Sequence, residues 1–456
     1  MTNSLLGLRV DPAEQVLDRV PGGFGHLGDP RARLVAGPAA SSGREGLGAH
    51  LARIGPIPPA HHGRVLLNEI AISGLGGRGG AGFPTATKLA TAAASPGRAI
   101  VVVNASESEP ASFKDRTLVS LRPHLVLDGA VLVAEVVGAD QVIVQLHRSD
   151  HAGREALSQA LLERRDMALD SVGIRVSLGP DRFVAGESSA VVAFLEGAPA
   201  RPRPGRRAAV AGIGGRPTVV QNAETLAHVA LIARWGAEWF RTCGTSGSPG
   251  SVLVTVHGDV ACPGTVLEVW GTPTIGELVA AANLGDGYPA HGDGEGQAVL
   301  VGGYGGTWVT MDRARTLPLC RDELARQGVS LGCGVLAVIG KATCGLAETA
   351  RILDYLAGES AGQCGPCVLG LPEVSALARA LAAGKLSRPG RRRLPELLGT
   401  IAGRGGCAHP DGAVSVFESA ITVFADDLRK HLRHRPCEGA HRAGSLPIPH
   451  RSEHWR

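Results

Sequence analysis

From about residue 63 the chain alternates short β-branched runs with amphipathic helical runs, and this alternation restricts the fold more than any other feature. Strand-like runs at 99–103, 141–145 and 172–178 alternate with helical spacing at 124–137 and 153–165. Strands that alternate with helices form parallel sheets covered by helices. The sequence therefore predicts a mainly parallel α/β layer.

Two further patterns follow along the chain. The runs SVLVTVHGDV and GTVLEVW, a helical run at 275–282 and the run AVLVGG form a strand–strand–helix–strand order, which suits a small α+β module. Helical spacing then recurs at 346–356, 368–382, 394–401 and 414–432, and the short connections favour an antiparallel four-helix bundle. We therefore expect an N-terminal arm over 1–62 with one short helix at 47–54, an α/β domain over 63–245, an α+β module over 246–335, a helical domain over 336–435 and a disordered tail over 436–456.

Composition excludes several classes of protein. Nine cysteines in 456 residues do not suit a secreted disulfide scaffold. A net charge of +4 without a basic motif argues against a nucleic-acid partner. No run approaches the roughly 18 uninterrupted apolar residues of a membrane span, and the first residues lack a basic leader. We expect a cytoplasmic protein with reduced thiols.

A glycine-rich loop is the first candidate binding element. The segment GRGGAG at 77–82 fits G-x-G-x-x-G, but a helical run precedes it where a dinucleotide fingerprint has a strand. Lys88 follows one turn into the next helical run. Backbone N–H groups in such a loop can hold a phosphate. The alternative is an ordinary surface loop.

Polar residues follow the first buried strand. The segment NASESE at 104–109 comes directly after AIVVV, and ligands in open α/β sheets lie outside the carboxyl ends of strands. Gly186 and Glu187 similarly open a helical run. Each segment could hydrogen-bond a ligand, or it could be a solvated helix cap.

Three cysteines have ligand-like positions. Cys364 and Cys367 form a C-x-x-C pair, and Cys407 lies in GGCAHPDG before the last helical run. Such thiols can share a metal centre or form a redox pair. The other six have no ligand-like spacing and are expected to be mostly small buried or surface residues: Cys243, Cys262, Cys320, Cys333, Cys344 and Cys437.

Six segments occur in a characteristic order: SGLGGRGGAGFPTATKL, NASESEPASFKDR, VAGESSAVVAFLEG, RPTVVQNAETL, GQCGPC and GGCAHPDGA. In this order the chain resembles the flavin-bearing, NADH-oxidising subunit of respiratory complex I, the 51 kDa or F-chain family, over residues 63–432. Relatives of that family serve in bidirectional hydrogenases and formate dehydrogenases.

The resemblance implies a Rossmann-like domain that binds FMN, a β-grasp module of the soluble-ligand-binding (SLBB) type and a helical domain that holds a [4Fe–4S] cluster. NADH would pass a hydride to FMN, and electrons would leave singly through the cluster. The implied flavin contacts are Gly77, Arg78, Gly79, Lys88, Asn104, Glu107, Gly186, Glu187, Asn222 and Thr225. Phe83 and Glu109 match positions that meet the nicotinamide nucleotide, and Cys364, Cys367 and Cys407 match three of the four cluster ligands.

The chain also departs from the family pattern. Ala361 stands where the first cluster cysteine is expected, so the centre would be [3Fe–4S], or [4Fe–4S] with another fourth ligand such as water, Ser360, Glu359 or Cys344. Ser188 replaces a second glutamate, beside the arginine-rich loop ARPRPGRR at 200–207, which predicts weaker discrimination against NADPH. The family's aromatic residue in that loop falls near Ala208.

These observations predict an FMN-dependent NAD(P)H dehydrogenase subunit of the diaphorase type. It would pass electrons to a ferredoxin, a thioredoxin-like subunit or a quinone-linked partner, and it would reach a membrane only through such partners. The alternatives are a two-electron flavin diaphorase without a cluster and a non-catalytic binding or scaffold protein with the same fold.

Overall fold

A computed structural model of the chain describes residues 23–29, 31–58, 63–205, 207–283, 296–449 and 454–456. Residues 1–22 and 59–62 of the expected arm, Arg206 of the arginine-rich loop and residues 450–453 of the expected tail lie outside this range.

Ten strands and sixteen α-helices make up the described part of the chain. The strands are β1 (Phe24–His26), β2 (Ala99–Asn104), β3 (Ala139–His147), β4 (Gly173–Gly179), β5 (Thr218–Asn222), β6 (Val252–Gly258), β7 (Thr265–Val269), β8 (Gly296–Val301), β9 (Thr307–Thr310) and β10 (Val335–Gly340). The helices are α1 (Leu47–Ile54), α2 (Gly63–Ser73), α3 (Thr85–Ala94), α4 (Lys114–Leu121), α5 (Pro123–Val137), α6 (His151–Asp166), α7 (Ser188–Leu195), α8 (Ala223–Arg241), α9 (Ile275–Asn283), α10 (Met311–Ala314), α11 (Arg321–Arg326), α12 (Gly345–Gly358), α13 (Leu371–Ala382), α14 (Arg388–Ile401), α15 (His409–Val423) and α16 (Ala425–Leu432).

The first sheet contains four parallel strands in the order β4-β3-β2-β5. Its central strand β2 is buried from Ala99 to Val103, because its β-branched residues face helices on both sides. Helix α5 packs along β2 and β3 and also contacts α8. The prediction of a mainly parallel α/β layer is confirmed.

The second sheet is mixed, with the order β1-β7-β6-β10-β8-β9. β6 and β10 are parallel, and the other pairs are antiparallel. The strand–strand–helix–strand order is present as β6, β7, α9 and β8. However, β10 lies between β6 and β8, so this unit continues to residue 340 and does not end at 335.

The N-terminal segment is anchored to this second sheet. Strand β1 pairs with β7, and Glu268 Oε2 accepts hydrogen bonds from the backbone N–H groups of residues 33, 34 and 35 at 2.9, 2.7 and 3.1 Å. Glu268 is fully buried. The short helix expected in the arm is α1.

Five helices form the C-terminal region, because the fourth expected run breaks at Phe424 into α15 and α16. Helix α12 packs against α13 and α15. The chain after Pro436 differs from its expected disorder, since Leu446 is buried and its N–H donates to Glu348 Oε1 at 2.9 Å. This apolar contact and this hydrogen bond hold this part of the tail against α12.

Within the described ranges, no single helix is both long and apolar enough to cross a membrane. The pair α4 and α5, bent by 96°, reaches that length and composition only when taken together.

Candidate functional site

A cavity of about 400 Å³ opens at the carboxyl edge of the parallel sheet. Asn104 ends β2 and Asn222 ends β5, and the two residues are register partners in adjacent strands. Such an edge is where ligands bind in open α/β folds, and the volume lies in the usual range of ligand pockets, roughly 300–1,000 Å³. Both asparagines line the cavity.

The glycine-rich loop forms one wall. Its two ends are held together by hydrogen bonds from Gly77 N to Phe83 O at 2.9 Å and from Thr85 N to Leu75 O at 3.0 Å. Gly79 and its neighbour Gly80 line the cavity. A Cβ atom at Gly79 would lie 3.4 Å from Asn222 Cβ, so a longer side chain would press on that asparagine.

Three residues that were expected to contact the flavin lie outside the cavity, on the far side of this wall. Arg78 N donates to Thr225 Oγ1 at 2.9 Å, and Arg78 Nη2 donates to Pro249 O at 2.9 Å. Lys88 Nζ donates to Val220 O at 3.0 Å and to the Gln221 side chain. These side chains hold the loop against β5 and α8, and none of them lines the cavity.

A second wall depends on a close backbone approach. Asn104 Nδ2 donates to Gly186 O at 2.8 Å, which joins the end of β2 to the segment before α7. A Cβ atom at Gly186 would lie 2.3 Å from Ser108 Oγ and 3.0 Å from Ser106 O. A larger residue at this position would therefore have to displace the Ser108 hydroxyl and the backbone at Ser106.

Two carboxyl groups lie in the loop after β2. Burial raises the pKa of Glu109 to about 8, against the hydrogen bond from Tyr304 N to Glu109 Oε2 at 2.9 Å. Glu109 Oε1 is buried without a hydrogen-bond partner. Burial and the nearby Asp115 also raise the pKa of Glu107. The loop after β2 therefore holds a carboxyl group that is protonated near neutral pH.

A buried ion network supports the same loop. Lys114 Nζ donates to Asp115 Oδ1 at 3.0 Å and to Glu224 Oε2 at 2.9 Å, while Asn222 Nδ2 donates to Asp115 Oδ2 at 2.6 Å. Lys114 and Asp115 line the cavity, but sequence reasoning did not single them out. The sequence does contain a pattern that could have identified them, because two adjacent residues of opposite charge follow the NASESE segment at the start of a helix.

The structure brings together part of the predicted site. Eight predicted residues line the cavity: Gly79, Asn104, Glu107, Glu109, Gly186, Glu187, Asn222 and Cys407. Seven do not: Gly77, Phe83, Arg78, Lys88, Thr225, Cys364 and Cys367. Phe83 is half exposed, at 50 %.

The three predicted cysteines lie near one another beside the cavity. Burial raises the pKa of Cys367 to about 12, and the neighbouring thiols of Cys364 and Cys407 add to the effect. Ala361, where a fourth ligand is expected, is buried and offers no donor atom. The donor set therefore fits an iron–sulfur centre held by three thiolates.

Two of the suggested fourth ligands are used elsewhere. Glu359 Oε2 accepts a hydrogen bond from Phe183 N at 2.9 Å and pairs with Arg182 Nε at 3.1 Å. Cys344 caps the N-terminus of α12, whereas the C-x-x-C segment follows the C-terminus of the same helix. The suggestion of Cys344 is wrong, because the length of α12 separates the two places.

The arginine-rich loop lies near α7. Arg203 N donates to Ser189 Oγ at 2.8 Å, and Arg203 Nη1 pairs with Glu196 at 2.6 Å. The guanidinium groups of Arg182 and Arg201 lie 4.1 and 4.8 Å from the ring centre of Trp455. Ser188, the first residue of α7, is exposed.

Other cavity residues were not predicted as site residues. Eight of them lie within or beside segments that the sequence analysis singled out: Ser106, Ser108, Ser112, Phe183, Val184, Ala408, His409 and Gly412. The other four come from distant elements: Gly302, Gly305, Cys333 and Leu356. Cys333 was expected to be a packing residue, yet it lines the cavity and donates to Gly302 O at 3.5 Å. No local motif marks these last four positions, since the second sheet and α12 bring them to the cavity.

Two family models match the chain. The Nuo51 FMN-binding domain matches residues 70–231, which include both walls described above. The NADH-ubiquinone oxidoreductase-F iron-sulfur binding region matches residues 341–431, which include the three cysteines.

Whole proteins are also similar to this chain. The NADH-quinone oxidoreductase F-subunit of Streptomyces coelicolor is 32% identical over 388 residues, covering 82% of this chain and 84% of that protein. The Escherichia coli protein of the same name is 29% identical over 406 residues, covering 86% and 89%. A crystal structure of an NAD+-reducing [NiFe]-hydrogenase in the H2-reduced state superposes with a TM-score of 0.76 at 31% identity, covering 85% of this chain and 67% of that chain.

Proposed function

The chain belongs to the family of the NADH-quinone oxidoreductase F-subunit, and on that premise we propose that it oxidises NADH at an FMN bound in the cavity at the edge of the parallel sheet. Family membership makes the chain an oxidoreductase subunit of the NADH dehydrogenase type. The observation that carries the proposal is that Cys407 lines the same cavity as Asn104 and Asn222. One cavity thus joins the FMN-binding region to the iron–sulfur region.

The walls fit a flat polar ring with a phosphorylated chain. Gly79 and Gly186 allow backbone to approach a ligand closely, and Asn104 and Asn222 offer amide groups to polar ring edges. Lys114 supplies a cation on the same surface. Arg78, Lys88 and Thr225, which were expected to touch FMN, would act by holding the glycine-rich loop in place.

FMN, when bound, accepts a hydride from NADH and can release electrons one at a time. Glu109 would hold a proton at one carboxyl oxygen and orient the nicotinamide nucleotide, because it lines the cavity and burial raises its pKa to about 8. Phe83, which does not line the cavity, would offer its half-exposed ring as a stacking surface for the nicotinamide nucleotide. Glu187 would stay fixed by capping α7, where its Oε2 atom accepts from Ser189 N at 2.9 Å and Ala190 N at 3.1 Å.

We propose finer assignments for the rest of the chain. The second sheet with α9 would be the β-grasp unit, and the helices from α12 onward would be the iron–sulfur domain. Cys364, Cys367 and Cys407 would hold a cluster by three thiolates, as [3Fe–4S], or as [4Fe–4S] with water on the fourth iron. The electrons would leave to a ferredoxin or a thioredoxin-like subunit, and the expected cytoplasmic location stays a prediction.

Visible absorption of the purified full chain tests the proposal. A flavin spectrum that NADH bleaches under anaerobic conditions supports it, and FMN as the extracted flavin supports the assigned cofactor. A colourless protein that does not take up added FMN would contradict it and would favour a scaffold protein.

A second candidate is a two-electron diaphorase without a cluster. The buried Ala361 favours it, since a cubane normally takes four protein ligands. Iron and sulfide analysis of anaerobically purified protein, with EPR of the oxidised and reduced states, separates the two. Iron-free protein that still oxidises NADH would select the diaphorase.

A further inference from the structure

A cluster of two thiols and one imidazole lies away from the cavity. It contains Cys344 at the start of α12, His431 in the last turn of α16 and Cys437 in the segment that follows. Cys344 and His431 are buried, and Cys437 is partly exposed. Among the described residues, no other three His, Cys, Asp or Glu side chains bring all their ligand atoms within 4.8 Å of one another.

The distances match those of a tetrahedral metal site. His431 Nε2 lies 3.6 Å from Cys344 Sγ and 3.5 Å from Cys437 Sγ. Zinc binds sulfur at about 2.3 Å and imidazole nitrogen at about 2.0–2.1 Å, so tetrahedral geometry sets its sulfur and nitrogen ligands about 3.6 Å apart. The observed separations therefore leave room for one ion between the three side chains.

The imidazole is oriented as a ligand. Its Nδ1 lies 3.1 Å from Leu381 O in α13, and a carbonyl can only accept, so Nδ1 carries the proton and Nε2 offers a lone pair. Three potential donors surround that nitrogen, since Cys437 N also lies 3.2 Å from it. One lone pair cannot satisfy three donors; a cation bound by two thiolates removes both thiol protons from this competition, and the Cys437 N–H then needs another acceptor.

We propose that Cys344, His431 and Cys437 bind one Zn²⁺, with water as the fourth ligand at the partly exposed side. Two thiolates and a neutral imidazole balance the charge of a divalent cation, so the buried site would carry no net charge. Thiolate and imidazole are ligands that zinc takes in proteins.

The proposed ion would fasten the tail to the body of the protein. Gly439 packs so closely on the segment before α12 that an added Cβ atom would lie 2.6 Å from Ala342 O and 2.7 Å from Cys344 N. Further on, Ser445 Oγ donates to Asp259 Oδ2 at 2.8 Å beside the second sheet. The tail thus bridges the helical region and that sheet, and the zinc site lies where this bridge begins.

This site is separate from the proposed iron–sulfur centre. Cys344 precedes α12 and the C-x-x-C segment follows it, and a helix of 14 residues spans about 21 Å. The two metal contents can therefore be changed independently, and the zinc proposal can fail while the proposed function holds.

The test is elemental analysis of the anaerobically purified full chain, with FMN and iron measured in the same samples. We expect about one zinc per chain in the wild type. Cys437→Ser should lower zinc by at least about tenfold and leave FMN, iron and NADH oxidation unchanged. Cys262→Ser, at a partly exposed cysteine outside the cluster, should keep its zinc.

The main alternative explanation for bound zinc is that the cysteines proposed for the iron–sulfur centre hold it. Cys367→Ser should not lower zinc, and zinc K-edge absorption of the wild type should show two sulfur ligands near 2.3 Å and one or more lighter ligands near 2.0 Å. Three sulfur ligands, or zinc that disappears with Cys367→Ser, would overturn the proposal.

Zinc-free protein that binds no added Zn²⁺ would also overturn it, as would a Cys344–Cys437 disulfide found by mass spectrometry under these conditions. If Cys437→Ser does not fold, the zinc K-edge absorption spectrum of the wild type still shows whether two sulfur ligands bind the ion. Trypsin provides an independent measurement, because a chelator should speed cleavage after the exposed Arg433 in the wild type.

Discussion

Replacing Glu109 with glutamine tests whether the cavity holds a protonated carboxyl group. Glutamine has nearly the same shape, and its amide oxygen can still accept from Tyr304 N. It cannot ionise, however. The substitution therefore removes the titration of this side chain while it preserves the packing of the loop after β2.

The magnitude follows from the pKa, which burial raises from 4.5 to about 8 in the folded chain. Between these values the folded state binds the proton more tightly than the unfolded state does, so stability falls as the pH rises. Linkage gives a cost of about 1.4 kcal/mol at pH 5.5 and about 3.4 kcal/mol at pH 7. Water in the cavity screens the charge, so we expect a change of about 1–2 kcal/mol across this interval.

The assay is urea unfolding of both proteins without flavin, followed by tryptophan fluorescence at several pH values. Flavin is omitted because a bound ligand adds its own stabilisation. Relative to the wild type, Glu109→Gln should gain about 1–2 kcal/mol as the pH rises from 5.5 to 7. Glu107 is present in both proteins, so its titration largely cancels in the difference.

Glu45→Gln serves as the matched control. Burial would raise the pKa of Glu45, but hydrogen bonds from Arg53 and His50 outweigh burial and lower it to about 2. Both its folded and unfolded pKa values lie below 5.5, so the stability difference from the wild type should be nearly constant above that pH. A Glu109→Gln difference that is equally constant would refute the protonated carboxyl.

Three further outcomes are expected. Gly79→Val should lower bound FMN per chain while circular dichroism stays unchanged, because its methyl groups would press on Asn222; normal flavin content would exclude the loop from the site. Ala361→Cys should raise iron by about one atom per chain and improve resistance to oxygen; unchanged iron would mean that the loops do not form a cluster. The ratio of kcat/KM for NADH over NADPH should stay below about a hundredfold, or about 2.7 kcal/mol, since Ser188 replaces a carboxylate; a larger ratio in steady-state kinetics would contradict this expectation.

The local parts of the fold could be predicted from the sequence. The β-branched run before Asn104 predicts a buried strand. The strand before Asn222 was not predicted; its parallel pairing with β2 places both asparagines at one edge. Asn104 and Gly186 occur next to regular elements, so their place beside a ligand follows from chain order and sheet geometry. The positions of these residues depend mainly on interactions between residues that are close together in the sequence.

The remainder depends on contacts between distant segments. Arg78 lies in a glycine-rich loop that suggests a ligand contact, but its guanidinium N–H donates to the carbonyl of Pro249. No local sequence pattern predicts that partner. Cys333 enters the cavity because the second sheet carries it there. Cys344 and Cys437 are 93 residues apart in the chain, and only the fold brings them together with His431. Spacing alone could not identify this cluster.

The anchoring of residues 33–35 by Glu268 has a consequence for synthesis of the chain. The partners Arg33 and Glu268 are 235 residues apart, so the N-terminal segment leaves the ribosome long before its acceptor exists. At about 5–20 residues per second, this wait lasts roughly 12–50 s. Strand β1 must stay unpaired during that time, while the parallel sheet can assemble from residues already made. This segment is therefore synthesised well before the strand and the carboxylate on which it docks, and its docking joins the α/β layer to the second sheet.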